Sequence, residues 1–153
     1  MKTAILFLTF ITATLFSNAQ LPWKIKLGNK TILQTTGEDK AKNVAAVKSK
    51  KIDSKASLVI IQKIQPDEKE WVRTIMIDDT TGVGIMPNPE AIIIKRTRNE
   101  ISYTVPVSEL RKIVTKHKKI EIWFTSIPSD PAKAAIVRVR KVHIATVDFS
   151  QRY

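Results

Sequence analysis

The sequence predicts an all-β protein: an antiparallel β-sandwich, Ig-like or jelly-roll-like, of about eight short strands with one short helix near residues 108–117. Three observations lead to this fold class. Apolar and polar residues alternate with the period of two that is typical of half-buried strands. Gly, Pro, Asn and Asp residues interrupt these runs at roughly the 8–12-residue spacing of sandwiches and barrels. The pattern lacks the repeated helical crossovers between strands that a parallel α/β fold requires.

The first 19 residues have the pattern of a cleavable signal peptide. Lys2 supplies the positive charge, residues 3–16 are mostly apolar, and residues 17–19 form the small-residue cleavage site. A membrane anchor is the alternative, but it needs about 20 apolar residues. We therefore expect export to a periplasm or the cell exterior, no transmembrane segment after cleavage, and one β-sandwich domain over residues 20–153.

Composition and charge narrow the function. The chain is 43% hydrophobic and 26% charged, which is typical of a globular protein. It has no cysteine, so disulfides and thiolate sites are excluded. It has only two histidines, His117 and His143, so few side chains could act as acid or base near neutral pH. Loss of Lys2 with the leader would leave 25 basic and 14 acidic side chains, a formal charge of +11. This charge favours an anionic partner, and simple solubility is the alternative.

The first two strands are predicted to form a hairpin. Residues 23–27 alternate apolar and charged side chains, Gly28-Asn29 has the composition of a two-residue turn, and residues 30–34 alternate again. A two-residue loop would place Ile25 opposite Ile32. Residues 38–57 contain six lysines and are ambiguous between strand, helix and loop. A short edge strand near residues 43–48 is favoured, because lysines protect sheet edges.

The middle of the chain predicts four strands and the helix. The strands cover residues 57–64, 70–78, 91–95 and 101–105. In the second of them, Trp71 shares a face with Ile75 and Ile77. Ser108 is expected to cap the helix, whose apolar face consists of Leu110, Ile113 and Val114.

Two strands are predicted at the C-terminal end. Residues 119–127 alternate, with Ile120, Ile122 and Phe124 on one side. Residues 134–149 form the longest β run, but the parity of their apolar residues shifts by one position. Either a β-bulge near Arg140-Lys141 or a strand that is buried on both faces at its end explains the shift.

The search for chemistry predicts no catalytic, metal-binding or cofactor-binding residue, and no cofactor. The sequence lacks a phosphate-binding loop, a Gly-x-Ser-x-Gly elbow, a His-Glu-x-x-His pair and an EF-hand loop. Asp78-Asp79 is interpreted as turn chemistry and His143 as a packed or surface histidine. An enzyme that uses these residues in a site assembled by folding remains the least favoured hypothesis.

Two basic stretches, residues 38–57 and 111–119, could contact a polyanion. The predicted contact residues are Lys112, Lys116, Lys118, Lys119, Arg138 and Arg140. Arg138 and Arg140 could form a guanidinium ladder on the last strand or could pair with Glu121. Neither stretch contains an aromatic residue, which argues against sequence-specific binding of nucleic acid. A solvated helix end and a lysine-protected edge are the structural alternative.

Three tryptophans could form a platform for carbohydrate. Trp23 and Trp71 fall on the apolar parity of their strands, so core packing is expected for both. Trp123 falls on the polar parity and is expected to be the most exposed.

The sequence thus favours an exported, non-enzymatic binding or structural module of the cell envelope or secretome, with an unidentified partner for which an anionic molecule is one candidate. The alternative is a protein that binds an acidic polysaccharide or a lipid phosphate through the two lysine-rich stretches.

Overall fold

The computed structural model describes residues 22–48, 56–64, 71–86 and 88–151. The predicted signal peptide lies outside these residues. They form two sheets, which confirms the predicted all-β sandwich. The strands are β1 (Trp23–Leu27), β2 (Lys30–Thr35), β3 (Val44–Lys48), β4 (Leu58–Lys63), β5 (Trp71–Asp78), β6 (Ile93–Arg96), β7 (Glu100–Val105), β8 (Lys119–Pro128) and β9 (Val142–Gln151). The helices are α1 (Val107–Lys116), α2 (Pro131–Ile136) and a 3-10 turn, Pro89–Ala91.

The two sheets have five and four strands. Their strand orders are β2-β1-β4-β7-β6 and β3-β9-β8-β5. Among the described residues, these orders contain seven pairs of neighbouring strands. Six pairs are antiparallel, and the pair β3–β9 is parallel. This pair departs from the antiparallel prediction. β3 and β9 are far apart in sequence, so no hairpin turn fixes their relative direction.

The core lies between the sheets and includes one face of α1. Ile25, Leu58 and Ile60 from the five-stranded sheet and Ile122 and Val147 from the four-stranded sheet are fully buried in one cluster. Burying a side chain of this size contributes about 1.5–3 kcal/mol, so this cluster stabilises a chain that has no disulfides. None of the helices in the described part of the chain is long and apolar enough to cross a membrane.

The predicted first hairpin is confirmed, but its register is not. Gly28 has a φ of 56°, which a left-handed turn position requires. Lys26 pairs with Thr31 and Ile25 with Leu33, so Ile32 is an extra residue in a β-bulge. The prediction that Ile25 lies opposite Ile32 was therefore wrong, because a bulge adds one residue to one strand only.

The edge strand predicted near residues 43–48 is confirmed as β3, at the edge of the four-stranded sheet. Residues 49–55 of the ambiguous stretch lie outside the described residues.

Helix α1 confirms the predicted helix but not its cap. Leu110 and Ile113 are buried, and Val114 is half-buried. The helix begins one residue before Ser108, and Pro106 occupies the N-cap position without a side-chain hydrogen bond. The fixed φ of proline, here −61°, prepares this start, so Ser108 lies inside the first turn.

The long C-terminal β run was predicted incorrectly in its first half. Residues 131–136 form α2, whose N-cap Asp130 accepts a hydrogen bond from the Ala132 amide at 2.9 Å. Residues 137–141 belong to no strand, and β9 begins at Val142. An Asp cap followed by a first-turn proline outweighs the β propensity of the valines that follow.

The parity shift in β9 has a structural cause. Ile122 pairs with Ala145 and Trp123 with His143, so Ile144 is the extra residue of a bulge. The bulge lies at Ile144 rather than at Arg140-Lys141. The alternative interpretation was a strand that is buried on both faces. It agrees with the structure around this bulge, because residues 143–147 are all buried.

Candidate functional site

A concave surface lies between α1 and residues 84–86. Its volume is about 720 Å³. Its lining consists of Gly84, Ile85, Met86, Arg111, Lys112, Ile113, Thr115, Lys116 and His117. We call this surface the basic groove.

A tight turn after β5 builds one wall of the basic groove. The Asp79 carboxylate accepts hydrogen bonds from the Thr81 amide at 2.8 Å, the Thr81 hydroxyl at 2.6 Å and the Val83 amide at 3.1 Å. The hydrogen bond from the Thr81 side chain is the main reason that the pKa of Asp79 is lowered. Gly84 then pairs with Asp78, and the Ile85 amide donates to the Ile77 carbonyl at 2.9 Å. The interpretation of Asp78-Asp79 as turn chemistry therefore agrees with the contacts of Asp79 but not with those of Asp78, which is the buried last residue of β5 and pairs with Lys141.

Helix α1 builds the other wall. Ile113 is buried beneath the basic groove, and Ile85 and Met86 are half-buried beside it. Arg111, Thr115 and Lys116 are exposed on the same side. The basic groove therefore combines an apolar floor with a rim of cations.

The electrostatics of the basic groove are positive. Its lining includes three cationic side chains and, in the part of the chain that the structure describes, no acidic one. The Lys112 ammonium lies 2.7 Å from the carboxylate of buried Glu109, which offsets part of its charge. Lys116 forms no ion pair with any described residue, so its charge faces solvent.

The structure separates the six predicted contact residues. Lys112 and Lys116 line the basic groove, while Lys118 follows α1 and is exposed. Lys119 pairs with Asp148 at 3.1 Å. The predicted contact residues included Lys112 and Lys116, and the predicted basic stretch 111–119 also contained Arg111. Ile85 and Met86 were not predicted.

The predicted guanidinium ladder does not exist. Arg138 and Arg140 lie in residues 137–141, which are not part of a strand. The alternation that would place both side chains on one face of a strand is therefore missing. Arg140 pairs with Glu38, and Glu121 pairs with Lys40 at 2.7 Å. The alternative that Arg138 or Arg140 pairs with Glu121 was therefore also wrong.

A second polar group lies on the outer face of the four-stranded sheet. We call Asp78, Glu121, Trp123, His143 and Thr146 the outer-face cluster. The register places Asp78 opposite Glu121, Glu121 opposite Thr146, and Trp123 opposite His143. Asp78 and Glu121 are only 3% and 5% exposed.

Two lysines neutralise these carboxylates and cover Trp123. Lys141 pairs with Asp78 and Lys40 with Glu121. Their ammonium groups lie 4.9 and 5.5 Å from the centre of the Trp123 ring, within the range of cation–π attraction. Trp123 is half-buried under these side chains, so the expectation that it is the most exposed tryptophan was wrong.

His143 is a packed histidine, as the sequence predicted. Its Nε2 lies 3.1 Å from the Thr146 hydroxyl, and its ring meets the edge of Trp123 at 5.0 Å. Burial lowers the pKa of His143; the Glu121 charge opposes this effect and the Lys40 charge adds to it. No group of three or more His, Cys, Asp or Glu side chains in the described ranges could hold a metal ion.

The exposed tryptophan is Trp71 rather than Trp123. Its side chain lies on the core-facing parity of β5 but is 37% exposed, so the prediction that it packs in the core was wrong. Trp23, at 8% exposure, is a core residue as predicted. Trp71 is the first residue of β5.

Comparisons with known proteins give no relative: no family model, no curated protein and no solved structure matches the chain.

Proposed function

We propose that the chain is an exported, non-enzymatic binding module that holds an anionic ligand in the basic groove. One observation supports this most directly: three cationic side chains surround an apolar floor in a groove of about 720 Å³. This combination fits an anionic amphiphile, such as a lipid phosphate, better than a fully hydrophilic acidic polysaccharide.

The two parts of the basic groove would contribute different free energies. The attraction between each cationic side chain and an anionic lipid surface contributes about 1 kcal/mol. Each CH₂ group of an acyl chain that is buried on Ile85, Met86 and Ile113 adds about 0.8 kcal/mol. The anionic end would give orientation and salt dependence, and the apolar part would give most of the selectivity over other anions.

The rim of the basic groove is tested by charge removal. Arg111→Gln with Lys116→Gln should weaken binding of residues 20–153 to vesicles that contain an anionic phospholipid by about 30-fold, because each cation contributes about 1 kcal/mol near such a surface. The control is Lys24→Gln with Lys30→Gln, which removes the same charge from exposed positions on β1 and β2. Vesicle co-sedimentation at several salt concentrations measures both. Equal weakening in the two variants would reduce the effect to net charge and contradict the proposal.

A substitution in the apolar floor of the basic groove distinguishes a lipid ligand from a polysaccharide ligand. Met86→Gln should weaken binding to anionic vesicles and leave retention on immobilised heparin unchanged. If heparin alone binds, and does so through Arg111 and Lys116, then the ligand is an acidic polysaccharide. If neither probe depends on the rim residues, the basic groove is not the binding site.

Export is the part of the proposal that depends on the first 19 residues. Cleavage after Ala19 would leave Gln20 at the N-terminus of the protein from its native host. Mass spectrometry of the intact protein tests this, and a chain that still begins at Met1 would contradict export by this route.

A further inference from the structure

A cleft lies between the two sheets near the end of the sandwich, away from the basic groove. Its volume is about 260 Å³. We call it the end cleft. Its lining consists of Gln62, Trp71, Arg73, Phe124 and Ser126. A cavity of about 130 Å³ shares Gln62 and Phe124 with it and extends toward Trp23, Glu38 and His143.

The end cleft lies where core-facing positions change from apolar to polar. Along β5, the core face continues from Ile77 and Ile75 to Arg73 and Trp71, and register places Arg73 opposite Ser126. Along β4, it continues from Leu58 and Ile60 to Gln62. Polar residues at positions that the pattern assigns to the core are a common departure at functional sites.

Gln62 is the observation that points to a ligand. Its side chain is 9% exposed, and its carbonyl oxygen Oε1 has no hydrogen-bond partner among the residues that the structure describes. A buried acceptor without a partner costs about 1–3 kcal/mol. Because Oε1 itself has almost no accessible surface, the Gln62 amide must rotate toward the end cleft before a ligand hydroxyl or N–H can donate to it and recover this cost.

The other lining residues of the end cleft indicate the chemical class of the ligand. Trp71, 37% exposed, and Phe124, 9% exposed, are the two aromatic residues of its lining. The Ser126 hydroxyl can donate or accept a hydrogen bond, and the Arg73 guanidinium supplies several donors in one plane. The Arg73 backbone is tied to β7, since the Tyr103 hydroxyl lies 3.5 Å from the Arg73 carbonyl. These groups suit a compact ring with one apolar face and hydroxyls at its edge.

We propose that the end cleft binds a single neutral sugar ring. The apolar face of the ring stacks on Trp71, one hydroxyl donates to Gln62 Oε1, and a second hydroxyl accepts from Arg73. The volume of the end cleft is just below the roughly 300 Å³ of the smallest drug-sized sites, so it accommodates one ring rather than a chain. This site does not depend on the basic groove.

A panel of methyl glycosides of glucose, galactose, mannose and N-acetylglucosamine tests the proposal. The readout is the indole N–H signal of Trp71 in a two-dimensional NMR spectrum of residues 20–153, assigned by its loss in Trp71→Phe. At least one glycoside should shift this signal with a Kd of about 1 mM, the scale of a small ligand with few contacts. A panel in which no sugar moves the Trp71 signal at tens of millimolar would overturn the proposal.

Two variants connect the signal to the mechanism. Gln62→Met preserves volume and removes the unpaired acceptor, so binding should weaken at least tenfold, read from the same Trp71 signal, while the melting temperature stays equal or rises. Trp71→Ala should abolish binding, measured by calorimetry, and leave the fold intact. Thr74→Ala, at an exposed position on the opposite face of β5, is the control and should bind as the unmodified chain does. Unchanged binding by Gln62→Met would overturn the proposal, and Arg111→Gln with Lys116→Gln should leave sugar binding intact.

Discussion

Replacement of Lys141 by Leu is expected to lower the free energy of unfolding by about 2–3 kcal/mol. The change leaves the Asp78 carboxylate, 3% exposed, without its cation and directly across the strands from the Glu121 carboxylate. Breaking a fully buried ion pair costs about 3–5 kcal/mol, and the expected loss is smaller because the Lys141 side chain is 41% exposed. Like charges at paired positions of a sheet add to the cost.

Urea unfolding of single and double variants measures this effect. Asp78→Asn in the Lys141→Leu background removes the unpaired charge and should recover at least half of the lost stability. Lys118→Leu is the matched control, since Lys118 is exposed and forms no ion pair with a described residue. If Lys141→Leu unfolds at the same urea concentration as Lys118→Leu, the ion pair does not stabilise the outer-face cluster.

Alternation of residue type was sufficient to locate most strands, because side chains in any strand alternate between its two faces. Ile75 and Ile77 were placed correctly for this reason. Trp71 was not, since its burial depends on where the opposing sheet ends, and no local pattern records that boundary. The parity shift near the end of the chain was visible in the sequence. The position of the bulge at Ile144 was not, because it depends on how β9 pairs with β8.

The sequence also contained a signal that was given too little weight. Asp130-Pro131 is a helix start, with a capping carboxylate followed by proline in the first turn. The valines at 137 and 139 concealed it. With this helix in place, Arg138 and Arg140 could not form a ladder.

The candidate sites were predictable only where their residues are close in sequence. Lys112 and Lys116 are four residues apart on one helix face, so the amphipathic pattern was sufficient to group them. Ile85 and Met86 reach the basic groove only because Gly84 pairs with Asp78. The outer-face cluster joins Lys40, Asp78, Glu121 and His143 through pairings between distant strands, which a single sequence does not specify.

Replacement of Trp23 by Ala is expected to lower the free energy of unfolding by about 3–5 kcal/mol, the largest effect among the tryptophans. Trp23 is 8% exposed, and its ring meets Phe124 edge to face, with centroids 4.9 Å apart and planes inclined by 67°. The substitution removes this contact and leaves a cavity between the two sheets. Trp71→Ala should cost less than about 1 kcal/mol, because its ring is already partly in water.

Chemical denaturation of Trp23→Ala, Trp23→Phe and Trp71→Ala tests the assignment of the two rings. Trp23→Phe keeps an aromatic ring near Phe124 and should lose less stability than Trp23→Ala. Equal losses for Trp23→Ala and Trp71→Ala would contradict the boundary between core and end cleft, since both rings would then be core residues. A large loss at Trp23 alone would mean that the core ends between the two tryptophans. Trp71 would then be available to contact a ligand without contributing to the stability of the fold.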